Sequence, residues 1–227
     1  MNKILLIGGG LFIVIIGLGL LVNSNKPEIE TFTDVEALAL VDTDYVAGDR
    51  ESEVIFMEFS DLQCPACKGY YPLIEELKTQ YSDRVAFVIR DFPLPFHVQA
   101  RDAAYALRAA KAQGAFDEMR ALIFEGQETW GGNTRAATFF ERYAEELELD
   151  MVQFNADVES EAFRTEVAND VAKGRALNVN STPTFLLNGE KITAQTVEQF
   201  ALLLDDALAA AESTTITTEN EEVETEL

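Results

Sequence analysis

Apolar and polar residues alternate along the chain with a period that changes from one stretch to the next. The apolar, β-branched run EVIFMEF, residues 53–59, is typical of a buried strand, and VAFVI, residues 85–89, predicts a second one. Between them, apolar residues recur every three or four positions from Cys64 to Tyr81, which predicts one helix with a buried face. A strand, a helix and a strand in this order predict a βαβ unit with parallel strands.

The rest of the pattern is helical and then returns to strands. Helical periodicity covers four stretches: residues 97–114, 116–125, 134–149 and one that passes through Phe163, Val167 and Val171. The segment TFLLNGEKI, residues 184–192, places Asn188-Gly189 between two short strands, which is the strongest short signal for a hairpin. A closing helix over about residues 195–210 completes the order β-α-β, helices, β-β-α.

The chain begins with a long apolar run. ILLIGGGLFIVIIGLGLLV, residues 4–22, contains no charged residue, and as a helix it would be about 28 Å long, close to the roughly 30 Å hydrocarbon core of a bilayer. It predicts a transmembrane signal anchor at residues 1–23; a cleaved signal peptide, the alternative, has a shorter apolar region. We expect a single-pass membrane protein whose C-terminal domain is extracytoplasmic, and the alternative is a tethered domain that faces the cytoplasm.

Acidic residues dominate the chain and restrict its partners. The formal net charge is −23, so the chain repels phosphate backbones, and we expect no nucleic acid partner. Residues 24–50 mix acidic, small and scattered apolar residues, which predicts an acidic tether. Residues 211–227 are rich in glutamate and lack basic residues, which predicts a disordered acidic tail.

Cys64 and Cys67 are the only two cysteines of the chain. Proline is favoured at the first position of a helix, so Pro65 predicts that Cys64 is the N-cap residue and that Cys67 lies one turn in, on the buried face. The N–H groups and the dipole at a helix start favour a thiolate and lower the pKa of a thiol there. The pattern indicates a redox couple in which Cys67 attacks a mixed disulfide formed at Cys64.

Two other interpretations of the cysteines stay open on the sequence alone. A structural zinc site needs four ligands, and the chain offers the two cysteines and a single histidine, His97. A static disulfide would close a loop of a few residues that the helix already holds, where the gain in loop entropy is smallest. We therefore adopt the redox couple, with no metal ion and no cofactor other than the Cys64–Cys67 disulfide itself.

Two stretches together resemble a known family. EFSDLQCPACKGYYP, residues 58–72, and GRALNVNSTPTFLLNGEKI, residues 174–192, are similar to the DsbA-like thiol-disulfide oxidoreductases of the thioredoxin superfamily. The resemblance implies an α/β thioredoxin fold with an inserted helical domain, which here follows the N-terminal transmembrane helix. Its implied parts are the first half of the thioredoxin fold, the helical insertion and the second half, at residues 51–95, 96–173 and 174–210.

The resemblance also implies roles for individual residues. Cys64 would be the exposed nucleophile and Cys67 its resolving partner. Pro183 would follow a cis peptide bond and face the cysteines, and the backbone of Thr182 would pair with an extended substrate segment. The Pro-Ala pair between the cysteines lacks the histidine of the most oxidising members, so the direction of electron flow stays open.

Glu58 lies in the first predicted strand among apolar neighbours. If that strand is buried, desolvation should raise the pKa of this carboxylate, which could then carry a proton to and from Cys67. The alternative is an acid on the solvent face of an edge strand. His97 is expected to cap or pack at the start of the helical block, and Trp130 is expected to pack rather than to contact substrate.

These predictions lead to one functional hypothesis and two alternatives. We expect a membrane-anchored, extracytoplasmic oxidoreductase that passes the Cys64–Cys67 disulfide to cysteine pairs in exported proteins. The resemblance further implies reoxidation by a quinone-linked membrane protein. The first alternative is a disulfide reductase in an extracytoplasmic assembly pathway such as cytochrome maturation. The second is a tethered chaperone or binding module whose cysteines are idle.

Overall fold

The structure is a computed structural model that describes residues 30–31 and 35–225, with side chains described from residue 36 to residue 213. The apolar run at residues 4–22, predicted to cross a membrane, lies outside the described residues. Within the part of the chain that is described, no helix is long and apolar enough to span a membrane.

A six-stranded sheet forms the centre of the fold. Its strands are β1 (Glu30–Thr31), β2 (Tyr45–Gly48), β3 (Ile55–Ser60), β4 (Ala86–Asp91), β5 (Thr184–Leu187) and β6 (Glu190–Ile192), and their spatial order is β1-β6-β5-β3-β4-β2. The strands β3 and β4 are parallel, as the βαβ pattern predicts, and the other pairs are antiparallel. Asn188 and Gly189 connect β5 to β6 with positive φ angles of 49° and 84°, which confirms the predicted hairpin.

Nine helices surround the sheet in the described part of the chain. They are α1 (Val35–Leu38), α2 (Pro65–Tyr81), α3 (Ala100–Lys111), α4 (Phe116–Glu125), α5 (Gln127–Trp130), α6 (Ala137–Glu146), α7 (Met151–Val158), α8 (Glu161–Ala176) and α9 (Val197–Thr225). The helix α2 connects β3 to β4, and the helices α3 to α8 lie between β4 and β5 in the sequence. This order gives a thioredoxin-like α/β fold in which a block of helices interrupts the chain.

Apolar side chains pack on both faces of the sheet. On one face, Phe56 and Phe87 lie in a cluster with residues of α2 and α9, and the rings of Phe56 and Phe200 meet edge to face. On the other face, Met57 and Phe59 pack with residues of α1 and α8. The helices α3 to α7 contribute to a third cluster that also contains both cysteines, so the cysteines lie where the sheet meets the inserted helices.

The segment predicted to be an acidic tether, residues 24–50, contains β1, α1 and β2, and β2 pairs with β4. Arg90, which is fully buried in β4, binds the carboxylate of Asp44 and donates to the carbonyl oxygens of Ala37 and Ala39. These bonds fix the segment against the sheet. The sequence pattern misses them because each element is short and its partner lies more than 40 residues further along the chain.

The helix α9 continues to Thr225 and so enters residues 211–227, the segment predicted to be a disordered acidic tail. Starting a helix costs more free energy than extending one, and α9 is already held against the sheet by Phe200 and Leu204. Glutamate is also a good helix former, so an acidic composition does not by itself end a helix. The last of the inserted helices, α8, continues to Ala176 and so passes the predicted end of the insertion at residue 173.

Candidate active site

Cys64 precedes α2 and Cys67 lies one turn into it. Cys64 is the N-cap residue, with extended backbone angles (φ −76°, ψ 122°), and Pro65 is the first residue of the helix. The two cysteines lie 3.9 Å apart, and both are free. Cys67 is fully buried, and its sulfur accepts a long hydrogen bond of 3.4 Å from the N–H of Asp61.

The surroundings give the two thiols very different acidities. The pKa of Cys64 is lowered to about 5. The largest cause is a hydrogen bond that the side chain of Cys67 donates to the Cys64 sulfur. The N–H groups of Cys67 and Ala66 and the side chain of Thr182 lower the pKa further, whereas burial raises it. The pKa of Cys67 is raised by burial first, and then by its bond to Cys64 and the negative charge of Glu58. Cys64 is therefore the thiolate at neutral pH, and Cys67 remains a thiol.

The helix start contributes to this difference through its charge distribution. The sulfur of Cys64 makes no cap hydrogen bond of ordinary geometry, although the N–H groups of Ala66 and Cys67 lie near enough to lower its pKa. The partial positive charge of the first turn therefore favours the thiolate without a direct cap bond.

Thr182 and Pro183 lie beside Cys64, and the peptide bond between them is cis, as the resemblance implies. The Cys64 thiol lies 3.4 Å from the carbonyl oxygen of Thr182. The hydroxyl of Thr182 is buried and has no hydrogen-bond partner of ordinary geometry among the described residues, yet it contributes to the lowered pKa of Cys64. The exposed fraction of Cys64 is only 7%, so the expectation of an exposed nucleophile is wrong for this conformation: neighbouring residues such as Thr182 cover its sulfur.

Glu58 lies in the centre of the sheet. Its strand, β3, has β4 on one side and β5 on the other, so the alternative of an acid on an edge strand is wrong. The side chain is fully buried, and its Oε2 atom lies 2.8 Å from the Nη2 atom of Arg120, which belongs to α4. The sequence did not indicate this ion pair, because 62 residues separate its members.

Gln127 is a second contributor that the sequence pattern did not indicate. Its side-chain N–H group donates to the carbonyl oxygens of Leu62 (2.8 Å) and Cys64 (3.1 Å) and so fixes the backbone on both sides of the turn that starts α2. Trp130, in the same short helix α5, is fully buried against Phe140 and donates to a backbone carbonyl, which confirms that it packs.

His97 is closer to the cysteines than the sequence indicates. Its Nδ1 atom lies 2.7 Å from the carboxylate of Asp61, the residue whose N–H contacts the Cys67 sulfur. The same carboxylate accepts hydrogen bonds from the N–H groups of Gln63 and Leu94. It therefore joins the cysteine loop, which is residues 61–64 between β3 and α2, to the loop between β4 and α3.

The loop between β4 and α3 also carries exposed apolar side chains. Phe96 is 71% exposed and Val98 is 77% exposed, on either side of His97. Gln63 and Gln99 bind each other by two hydrogen bonds, which fixes the C-terminal end of this loop beside the cysteine loop. Among the residues that the structure describes, no group of three or more His, Cys, Asp or Glu side chains could hold a metal ion.

The fold and the site together define a class of protein: a thioredoxin-like fold whose Cys-X-X-Cys pair starts a helix beside a cis-proline. A family model described as Thioredoxin matches residues 40–206, and the chain belongs to this family. The fold of this group supports a function in handling disulfides.

Individual relatives agree on the fold and differ in length. The structure of alpha-DsbA1 from Wolbachia pipientis is similar with a TM-score of 0.72 and 18% identity, over 81% of this chain and all of that one. A thioredoxin-like oxidoreductase from Silicibacter pomeroyi DSS-3 has a TM-score of 0.64 and 25% identity, over 80% of this chain and 99% of that one. The Na(+)/H(+) antiporter NhaA 1 of Mycobacterium sp. (strain KMS) is 34% identical over 153 residues, which are 65% of this chain. The chain spans about a quarter of the length of the curated relatives it matches.

Proposed function

We propose that the protein is a membrane-anchored, extracytoplasmic thiol-disulfide oxidoreductase that passes the Cys64–Cys67 disulfide to cysteine pairs in exported proteins. The observation that carries this proposal is the geometry of the pair: Cys64 is the N-cap residue of α2, beside the cis peptide bond of Thr182-Pro183 and 3.9 Å from the buried Cys67. This geometry lowers the pKa of Cys64 to about 5 and raises that of Cys67. A stabilised thiolate favours the reduced form of the pair, which makes its disulfide a better oxidant. It also makes Cys64 a good leaving group when a substrate disulfide forms.

The reaction is a pair of sulfur displacements. A substrate thiolate attacks the Cys64 sulfur, the Cys64–Cys67 bond breaks, and Cys67 leaves with the electron pair and takes a proton, which buried Glu58 would carry to it. A second substrate thiolate then attacks the substrate sulfur of the mixed disulfide, and Cys64 leaves as a thiolate. The substrate loses two electrons and the protein gains them.

Substrate would bind along the backbone beside Cys64. Thr182 and Pro183 border the sulfur, and an extended substrate segment that pairs with the Thr182 backbone would hold its cysteine against Cys64 without reading many side chains. The exposed side chains of Phe96 and Val98, in the neighbouring loop, would contact apolar residues of an unfolded substrate.

The proposal also covers the location of the protein at the membrane and the partner that reoxidises its cysteines. The apolar run at residues 4–22 supports a membrane anchor, and the curated relatives are named as antiporters. The DsbA-like resemblance supports reoxidation of Cys64 and Cys67 by a quinone-linked membrane protein, and the proposal includes no cofactor other than their disulfide.

The direction of electron flow is tested with the oxidised protein and a reduced peptide that contains two cysteines. We expect stoichiometric oxidation of the peptide, and a reduction potential above that of the surrounding compartment. A potential well below that of the compartment would instead support the reductase alternative. Unchanged cellular function in a Cys64→Ser, Cys67→Ser double variant would support a binding or chaperone module with idle cysteines.

A further inference from the structure

Asp61 is a buried acid that the mechanism above does not use. It is the first residue of the cysteine loop and only 1% exposed, and a charged side chain buried to this degree needs partners. Its Oδ1 atom accepts the N–H of Gln63 at 2.7 Å. Its Oδ2 atom accepts the N–H of Leu94 at 2.7 Å and lies 2.7 Å from Nδ1 of His97. Two of the three donors therefore belong to the loop between β4 and α3.

The main chain of Asp61 contacts both cysteines. Its carbonyl oxygen accepts the N–H of Cys64 at 3.0 Å, and its own N–H lies 3.4 Å from the Cys67 sulfur. Among the residues that the structure describes, no other N–H group donates to that sulfur. Burial raises the pKa of Cys67, as do Cys64 and Glu58, whereas the N–H of Asp61 lowers it. The hydrogen bonds that fix the carboxylate therefore also fix the N–H group that faces the Cys67 sulfur.

His97 is the only side chain among the donors to this carboxylate in the described part of the chain, because Gln63 and Leu94 donate through the backbone. A carboxylate can only accept, so Nδ1 of His97 carries the proton of this bond. The N–H of His97 donates to the carbonyl oxygen of Leu94, and its carbonyl oxygen accepts the N–H of Ala100. These two backbone bonds do not depend on the imidazole, so a substitution at position 97 changes a single bond to the carboxylate.

We propose that His97 is a positioning residue that, through the carboxylate of Asp61, holds the Asp61 N–H group against the Cys67 sulfur. There the N–H group stabilises the negative charge that Cys67 acquires when its bond to Cys64 breaks. This rests on the proposed function and concerns its first displacement. The substrate thiolate forms a bond to the Cys64 sulfur, the Cys64–Cys67 bond breaks, and Cys67 keeps the electron pair as a thiolate until it takes up a proton.

The charge on Cys67 exists during the exchange and neither before nor after it. Its sulfur belongs to a neutral disulfide in the oxidised protein and to a neutral thiol in the reduced protein, where its pKa is raised. A donor that acts on the thiolate therefore speeds the breaking and the formation of the Cys64–Cys67 bond by the same factor, and it leaves the redox equilibrium unchanged. A residue that stabilised only one of the two redox forms would change that equilibrium.

The test compares three substitutions at position 97. His97→Asn places an amide N–H group close to the position of Nδ1, His97→Gln places it close to that of Nε2, and His97→Leu removes it. The oxidised protein is mixed with dithiothreitol at pH 7, samples are quenched with acid, and the reduced fraction is measured by mass after alkylation. Equilibration with mixtures of reduced and oxidised glutathione gives the reduction potential. Arg101→Leu, at an exposed position near the start of α3, is the matched control.

We expect His97→Leu and His97→Gln each to slow the reduction about tenfold, the lower end of what a hydrogen bond to a charged group contributes. His97→Asn should keep most of the rate, and Arg101→Leu should match the unchanged protein. None of the variants should shift the equilibrium with glutathione. The alkylation profile of Cys64 should keep its midpoint at about pH 5 in all of them, because the start of α2 is unchanged.

Other outcomes would overturn the proposal and leave the proposed function intact. They are a normal rate in His97→Leu, a rate in His97→Asn as low as in His97→Leu, and a slower reduction that comes with an equal change in the equilibrium. If the variants do not fold, the imidazole ¹⁵N spectrum of the unchanged reduced protein decides, because the chain contains a single histidine. At about pH 8 we expect the proton on Nδ1, and a proton on Nε2 alone overturns the proposal. An oxidised protein that dithiothreitol reduces in no variant would overturn the proposed function as well.

Discussion

Replacing Cys67 by alanine should raise the pKa of Cys64. The hydrogen bond from the Cys67 side chain is the largest of the effects that lower this pKa to about 5. Alanine removes the donor and leaves only the N–H groups of α2 and the Thr182 side chain. Serine at position 67 keeps an O–H donor, so Cys67→Ser should retain more of the lowered pKa than Cys67→Ala does.

The size of the effect on reactivity depends strongly on pH. With a pKa of about 5, Cys64 is about half thiolate at pH 5, whereas an ordinary thiol with a pKa of about 8.5 is about 0.03% thiolate there, a ratio of about 1,600. The lower basicity reduces the intrinsic nucleophilicity by about 25- to 56-fold for a Brønsted slope of about 0.4 to 0.5. Cys64 should therefore react about 30- to 60-fold faster than an ordinary thiol at pH 5 and about equally fast at pH 7.

The assay is the rate of alkylation by iodoacetamide between pH 4 and pH 9, together with the thiolate absorbance near 240 nm. The reduced protein should give a profile with its midpoint at about pH 5, and Cys67→Ala a profile with a higher midpoint. Cys67→Ser is the matched control. A midpoint near that of an ordinary thiol in the unchanged protein, or an unchanged midpoint in Cys67→Ala, would refute the reasoning.

Three further predictions concern stability. Arg90→Met should lower the free energy of unfolding by about 3–5 kcal/mol in denaturant titrations, because the buried carboxylate of Asp44 loses its ion-pair partner, whereas Arg84→Met, at an exposed pair, should change it little. Gly174→Ala should cost about 1–3 kcal/mol in the same titrations, since the added Cβ would lie 2.6 Å from the Phe92 ring; a normal midpoint would show that the ring moves aside freely. Because the pKa of Cys64 is lower in the folded than in the unfolded protein, ionisation of Cys64 should stabilise the reduced fold fully above about pH 8.5, and this stabilisation should disappear as the pH falls through about 5. The melting temperatures of the reduced protein and of its Cys64→Ser variant should therefore converge in acid.

The sequence predicts those features of the fold that depend on residues close together in the chain. The start of α2 follows from the conformational limits of Pro65, and the hairpin follows from the ease with which Asn188 and Gly189 adopt positive φ. The parallel pairing of β3 and β4 follows from the short helical connection between them. Each of these elements carries its own signal in a few neighbouring residues.

The features that the sequence does not reveal depend on distant partners. Glu58 can be identified as a candidate for burial from its apolar neighbours, but nothing near it in the chain indicates that Arg120 approaches from the inserted helices. His97 likewise reaches the site only through Asp61, because the loop after β4 folds back onto the cysteine loop. A single sequence reports local preference, whereas these contacts exist only in the assembled fold.

The most direct test of thiol-disulfide exchange at Cys64 is a trapping measurement with the Cys67→Ser variant. The variant is mixed with two single-cysteine peptides joined by a disulfide, and intact mass is measured after acid quenching. We predict a protein–peptide adduct that a reducing agent releases and that the Cys64→Ser variant does not form, because Cys64 attacks, one peptide leaves as a thiolate, and the adduct contains no second thiol that could resolve it. Absence of the adduct, or an equal amount of it in Cys64→Ser, would contradict the account.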